Sequence, residues 1–267
     1  MMSEGIHSLV DTGNQILLLY GLKRAAKPPS PQFPFGHGKE IYFWSFVVAI
    51  LIFAVGAGVS IYEGAHHIAH PSEMTSPIIN YIVLGLAIIF EGGALFFAVV
   101  EFNKSRGKLS YLDAVRKGKD PSLFVVLFED SAAMAGLLVA LIGIILSQVT
   151  GNPVWDGVAS VIIGCILGLT AIWLAYETKS LLIGESAGQG VVEKIKSIAI
   201  SKDGIQQVNE ILTLHMGPEF ILVNISIDFK DDLKTGELEK IIQSLDKDIK
   251  ADFSFVKRVF IEAEPAK

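Results

Sequence analysis

Four ionisable side chains stand where helical geometry would bring them together. His7-x-x-x-Asp11, in HSLVDTGNQ, sets an imidazole and a carboxylate at i and i+4, on one helix face with Cβ atoms about 5–6 Å apart. Such a pair offers one nitrogen and one oxygen to a small divalent cation; the alternative is a hydrogen-bonded pair that helps helices pack. Glu129 and Asp130, in VVLFEDSAAMAG, are neighbours and point about 100° apart around a helix. One is expected to face His7 and Asp11, with the other protonated or paired; alternatively both sit near water and are simply hydrated. Together the four make a three- or four-ligand nitrogen/oxygen set, which suits zinc and admits manganese, iron or cobalt.

Other polar groups lie in apolar stretches. Glu91, within LGLAIIFEGGALFFAVV, reads as a proton carrier, a residue lining a water-filled path, or a structural partner; Gly92 and Gly93 beside it would allow close helix approach. Asp156, opening an apolar run, reads as a helix N-cap. Glu63, His66, His67 and His70 cluster together, either as a histidine-rich vestibule or as exposed loop residues.

The elements that must position these groups follow from composition. The chain has 267 residues, 51% hydrophobic and 19% charged, with a net charge of −6 and a mean hydropathy of +0.50. No basic stripe exists to follow phosphates, which excludes a nucleic-acid partner. The single cysteine, Cys165, excludes a disulfide framework and a thiolate zinc cluster. Disorder is excluded by the apolar content, and an integral membrane protein is left.

Crossing a bilayer takes about 20 mostly apolar residues, and five segments qualify: 4–22, 41–64, 77–101, 122–148 and 154–182. The loops 23–40 and 102–120 carry Lys23, Arg24, Lys27, Lys39, Lys104, Arg106, Lys108, Arg116, Lys117 and Lys119, whereas 65–76 and 149–153 hold no Lys or Arg. Basic loops stay cytoplasmic, so the tail is expected on the cytoplasmic side and Met1 on the other. That odd start predicts a further N-terminal helix, missing from this sequence. The first segment lacks the basic flank and cleavage site of a signal peptide.

The organisation expected is a transmembrane domain over 1–184 and a charged soluble domain over 185–267. In the latter, 190–201 has helical apolar spacing, 206–216 and 219–229 read as strands meeting at Gly217-Pro218, 233–248 is an amphipathic helix and 254–262 a last strand. This αββαβ order suits a small sheet with helices on one face, a regulatory or dimerisation module rather than a catalytic one. No Walker loop, Gly-x-Ser-x-Gly or His-Glu-x-x-His is present, so neither ATP-driven pumping nor hydrolase chemistry is expected. The protein is read as no enzyme and as needing no cofactor.

These residues resemble the cation diffusion facilitator family, the proton-coupled zinc transporters, over almost the whole chain. His7-x-x-x-Asp11 matches the metal motif of the family's second helix, Pro34-Phe35-Gly36-His37-Gly38-Lys39-Glu40 the loop after it, and Trp155-Asp156-Gly157-Val158-Ala159-Ser160 the start of its sixth helix. HSLVDTGNQ, Asp120-Pro121-Ser122, LFEDSAA and TGNPVWD resemble a branch with animal mitochondrial members and bacterial relatives. The resemblance implies an α-helical transmembrane bundle of six helices, of which five are present here, followed by a ferredoxin-like α+β cytoplasmic domain through which two copies form a homodimer.

Family members carry a second His-x-x-x-Asp in the fifth helix. Here Glu129 falls on the His position and Ala133 on the Asp position, or, in another register, Asp130 falls on the Asp position. In the tail, the positions matching family zinc ligands are Asn224, Glu262 and Glu264, so a tightly held zinc pair is not expected there. His37, alone in its loop, is expected to be structural rather than a metal ligand. The implied function is export of a divalent cation, Zn²⁺ first, in exchange for protons by alternating access. The metal site would be His7 and Asp11 with Glu129 or Asp130, and the proton-coupling candidates His7, Asp11 and Glu91. The alternatives are the same transporter for Mn²⁺, Fe²⁺ or Co²⁺, and a non-transporting membrane scaffold dimerising through its tail. The expected location is the bacterial inner (plasma) membrane.

Overall fold

A computed structural model describes residues 2–71, 77–106, 110–111 and 121–266, with the side chains of 1–11, Phe53 and Pro77 outside that description. Its helices are α1 (Met2–Ala25), α2 (Glu40–Leu51), α3 (Gly58–Ala69), α4 (Pro77–Arg106), α5 (Pro121–Thr150), α6 (Val154–Ile183), α7 (Gln189–Ile200) and α8 (Thr235–Asp252). A π-helical stretch, Ile52–Ala57, joins α2 to α3, so Glu40–Ala69 runs as one span. The widening falls on IFAVGA, where β-branched residues, Phe53 and Gly56 defend the 3.6-residue turn poorly. Among the described residues four spans are long and apolar enough to cross a membrane: Glu40–Ala69, Ile78–Arg106, Pro121–Thr150 and Val154–Ile183. The fifth expected segment, 4–22, falls on α1. Chain contacts divide the protein into two compact units, Met1–Arg24 with Glu40–Lys179 and Ala25–Lys39 with Ser180–Lys267.

Helices of the first unit meet through small residues, as they must where lipid supplies no hydrophobic drive for association. α3 crosses α6 backbone to backbone. A Cβ on Gly64 would lie 2.7 Å from the Gly157 carbonyl oxygen and the Val161 nitrogen, and one on Gly164 3.0 Å from the Ala57 carbonyl oxygen. α5 meets α6 where Gly143 faces the Cβ of Ala159, and α1 meets α2 where Gly21 lies under Trp44. The same end of α1 is pinned by Arg24, whose Nη2 donates to Glu40 Oε1 at 2.7 Å, while Trp44 Nε1 donates to Glu40 Oε2 at 3.0 Å. By contrast, among the described residues nothing outside the helix's own backbone lies within 4 Å of a Cβ built on Gly93, and Met134 Cε, at 3.5 Å, is what approaches one on Gly92. Among the described residues, the close approach that Gly92 and Gly93 would allow is not made.

In the second unit, α7, β1 (Ile205–Gly217), β2 (Phe220–Phe229), α8 and β3 (Val256–Ala263) follow in αββαβ order. β2 is central, antiparallel to β1 and parallel to β3. Alternation sends Ile221, Val223, Ile225 and Ile227 of β2 to the side that carries the core, where they meet Ile195 and Ala199 of α7 and Leu245 and Ile249 of α8. The two helices thus cover one face of the sheet. α8 runs past the expected end at 248, because Leu245 and Ile249 continue its apolar stripe. Its start is tied by Glu237 Oε2, which accepts the Lys234 N–H at 3.1 Å. Gly204, in the turn after α7, has φ +95 and no room for a Cβ beside Ile241 and Leu233. Gly38 of the 25–39 segment lies so close to the Met216 carbonyl and the Gly217 Cα that a side chain there would collide, and the rings of Phe35 and Phe260 meet edge-on at 6.5 Å. That segment belongs to the tail's unit, which no shift in composition announces.

Candidate cation site

α5 opens at Pro121, whose fixed φ and missing N–H suit a first helical turn. Buried Phe124, Val125 and Leu127 hold its first two turns in the interior. Glu129 and Asp130 follow, about 12–14 Å along the helix at 1.5 Å per residue. Both are enclosed, 8% and 7% exposed. They are adjacent in sequence, yet neither is turned out to solvent.

A buried carboxylate needs a hydrogen bond or a cation to offset its lost hydration. Glu129 receives one from α1: Asn14 Nδ2 donates to its Oε1 at 2.7 Å. Asn14 is itself fully enclosed. Its Oδ1 is buried and has no hydrogen-bond partner among the described residues. The contact ties α1 to α5 across 115 residues of chain. His7 and Asp11 lie on α1, and their side chains fall outside the described residues. Their backbone positions are fixed by the helix all the same. At 100° per residue, positions 7, 11 and 14 occupy a single narrow stripe, so the stripe that carries His7 and Asp11 also carries the residue bonded to Glu129. Asn14 was missed by spacing arguments confined to charged residues, although its i+7 position relative to His7 marks it.

The other expected residues lie on other elements. Glu91 is half-buried midway along α4. His37, in the 25–39 segment, has its ring against Phe33 with centroids 4.5 Å apart. Lys39, two residues on, is half-buried and its amine is held below the ordinary lysine range by that burial. The N-cap reading of Asp156 is replaced: Asn152 Oδ1 accepts the Val154 N–H at 3.0 Å, while Asp156 Oδ2 stands 3.3 Å from His67 Nδ1. His66 stacks on His70 with centroids 5.0 Å apart. In the tail, Asn224 Nδ2 donates to Glu262 Oε1 at 3.2 Å and Ser226 Oγ to Glu264 Oε2 at 2.6 Å. Among the described residues no three of His, Cys, Asp and Glu converge as a ready metal cage.

Residues 1–183 match the family described as the cation efflux transmembrane domain. The chain is 35% identical over 231 residues to the proton-coupled zinc antiporter SLC30A9, mitochondrial, of Xenopus laevis, covering 86% of this chain and 41% of that protein. It is 32% identical, with the same coverage, to the human protein of that name. The chain thus spans about two fifths of the length of these relatives. It is also 22% identical over 274 residues to the manganese efflux system protein MneP of Bacillus subtilis, covering 99% of this chain and 86% of that one.

Proposed function

Because this chain belongs to the cation diffusion facilitator family, on the match of residues 1–183 to its transmembrane domain, we propose that it exports a divalent cation, Zn²⁺ foremost, in exchange for protons. The observation that carries the reading is the enclosed Glu129 of α5, bonded to Asn14 on the α1 stripe of His7 and Asp11. A protein kept only as a scaffold has no use for carboxylates that cost stability in an apolar interior.

The cation would be held by His7 and Asp11 of α1 with Glu129 or Asp130 of α5. A histidine must be neutral to ligate, so protons and metal compete for one set of groups. Facing the cytoplasm, neutral His7 and ionised carboxylates take the ion; facing the other side, protonation releases it, and protons return on the reverse swing. Helices rocking about a fixed site near the midplane supply the two access states. Glu91, half-buried on α4, is the candidate for a proton group apart from the ligands. The working unit is a homodimer clamped by the αββαβ tail. The basic loops assign that tail to the cytoplasm, and the membrane is the bacterial plasma membrane.

Zinc is favoured by His7 and by the printed name, proton-coupled zinc antiporter, of relatives 35% and 32% identical to this chain. A second reading, Mn²⁺, is favoured by the carboxylate on α5 where the family has histidine, since oxygen donors suit harder ions, and by the manganese efflux relative. Liposomes containing the protein, a zinc-sensitive dye and an imposed pH gradient separate the readings. Gradient-driven zinc uptake should be abolished in His7→Ala and Asp11→Ala. Whichever of Glu129→Ala and Asp130→Ala stops it identifies the α5 ligand. Folded dimer that moves Mn²⁺ but no Zn²⁺ transfers the assignment to manganese, and dimer that moves neither ends it.

A further inference from the structure

Asn14 is a neutral residue spending a fully buried position inside an ionic site, and it uses only half of its amide. Glu129, when ionised, accepts hydrogen bonds and donates none, so the Asn14 amide must turn its Nδ2 to that carboxylate, as observed at 2.7 Å. The orientation leaves Oδ1 as the outward-looking group. That oxygen is buried without a hydrogen-bond partner among the described residues, in a side chain with no exposed surface. A buried carbonyl oxygen with nothing to accept carries the full penalty of its lost hydration, and no packing advantage over an isosteric leucine offsets it. A cation does. Oδ1 shares a carbon with the nitrogen that touches Glu129, and metal–oxygen bonds of about 2.0–2.2 Å allow one ion to bridge the Glu129 carboxylate and the Asn14 carbonyl.

The α1 stripe makes the same point from the backbone. Residues 7, 11 and 14 share it, and Asn14 is one turn from Asp11, about 4.5 Å along the axis. Residues three apart on a helix are neighbours. A carbonyl oxygen is a hard, uncharged donor, suited to Mn²⁺ and tolerated by Zn²⁺. We propose that Asn14 is a specificity-determining residue of the cation site, its amide nitrogen fixing Glu129 and its Oδ1 contributing a neutral oxygen that widens acceptance towards oxygen-preferring ions. This rests on the assignment of Glu129 to the site.

The test is zinc uptake by the protein in liposomes, measured across zinc concentrations and against increasing Mn²⁺ as competitor. Asn14→Leu, nearly isosteric, removes both functions of the amide. Losing an orienting partner of a metal ligand costs about tenfold to a hundredfold in affinity, so the KM for zinc should rise by about that factor. The Mn²⁺ concentration that halves zinc uptake should rise further still, by roughly another tenfold, because manganese loses a donor of its preferred type. Asn14→Gln, which keeps the amide on a longer stem, should restore part of both. Equal losses for the two ions, or a lower maximal rate with unchanged KM, would mean that Asn14 only packs, and would overturn the proposal. Glu129→Gln keeps the two ideas apart. If it transports normally, the site assignment beneath the proposal falls with it; if it is inactive while Asn14→Leu behaves as wild type, Asn14 alone is wrong. Should Asn14→Leu not yield folded dimer, Asn14→Ser is measured in its place and judged by the same two ratios.

Discussion

Carboxylates enclosed in an apolar helix bundle are retained at a cost in stability, and Glu129 bears that cost in a form that can be measured. Exchanging its charge for a neutral amide of the same shape relieves desolvation while leaving an oxygen to accept from Asn14. Glu129→Gln should therefore raise the thermal stability of metal-free protein, by about 1 kcal/mol, read as a melting point a few degrees higher in detergent with chelator, while zinc transport is lost. A lower melting point would mean that the ionised form is already balanced within the protein. At the surface of the tail, the Asp203–Lys230 pair has the opposite character. The Lys230 ammonium, 2.6 Å away, holds the Asp203 carboxyl below its ordinary 3.8, and Asp203 holds the lysine above its ordinary 10.5. The carboxylate's contribution is present above its ordinary value and is lost as pH falls through the depressed one. The lysine's is present below its ordinary value and is lost as pH rises through the elevated one. Both groups are exposed to water, so the effect is small and screened by salt. Lys230→Met should lower the tail's stability slightly between those limits, and the difference from wild type should vanish in strong acid and at high salt. Asn14 was legible in principle, since helical spacing puts it on the His7/Asp11 stripe, but attention to charge passes over a neutral amide whose partner is 115 residues away.

Helices and strands in this chain were readable to the extent that their cause was local. Apolar length announces α4, α5 and α6, and alternation announces β2, whose odd-numbered residues carry the tail's core. The π-helical stretch Ile52–Ala57 had no such signal, because its widened turn is not written in hydrophobic periodicity. Nor did the identity of the close helix crossing. Gly92-Gly93 looks like a contact pair in sequence, yet the backbones meet instead at Gly64, Gly157 and Gly164. A glycine shows that approach is permitted; only the partner helix decides where it happens. The two sets should respond oppositely to substitution. Gly157→Leu forces a side chain into the Gly64 carbonyl, 2.8 Å from where its Cβ would stand, and should cost about 1–3 kcal/mol or more, seen as lost folded yield on gel filtration. Gly93→Ala meets open space among the described residues and removes backbone freedom from a helix interior, so it should be neutral or stabilising by about 0.5–1 kcal/mol. A change of oligomeric state in Gly93→Ala would identify that face of α4 as a subunit contact.

Over the whole molecule, the unexpected feature is the allegiance of residues 25–39, which join α1 to α2 yet belong to the tail's compact unit. Loop composition could not reveal it, because the attachment is made by backbone at Gly38 against Met216 and Gly217 and by Phe35 on Phe260. Gly38→Val should detach the segment, and hydrogen exchange should then speed up in the hairpin around 214–220 while the cores of α5 and β2 stay protected. The connection matters for the transport account because α1 carries His7, Asp11 and Asn14. The central claim is that cation and protons compete for one set of groups on α1 and α5. It is tested most directly in liposomes holding a zinc-sensitive and a pH-sensitive dye at once, with zinc supplied outside and no initial pH difference. Zinc entry should be matched by proton exit in the same vesicles, and both should stop together in Asp11→Ala and in Glu129→Gln. Zinc entry without any proton movement, or undiminished exchange in both variants, would contradict it.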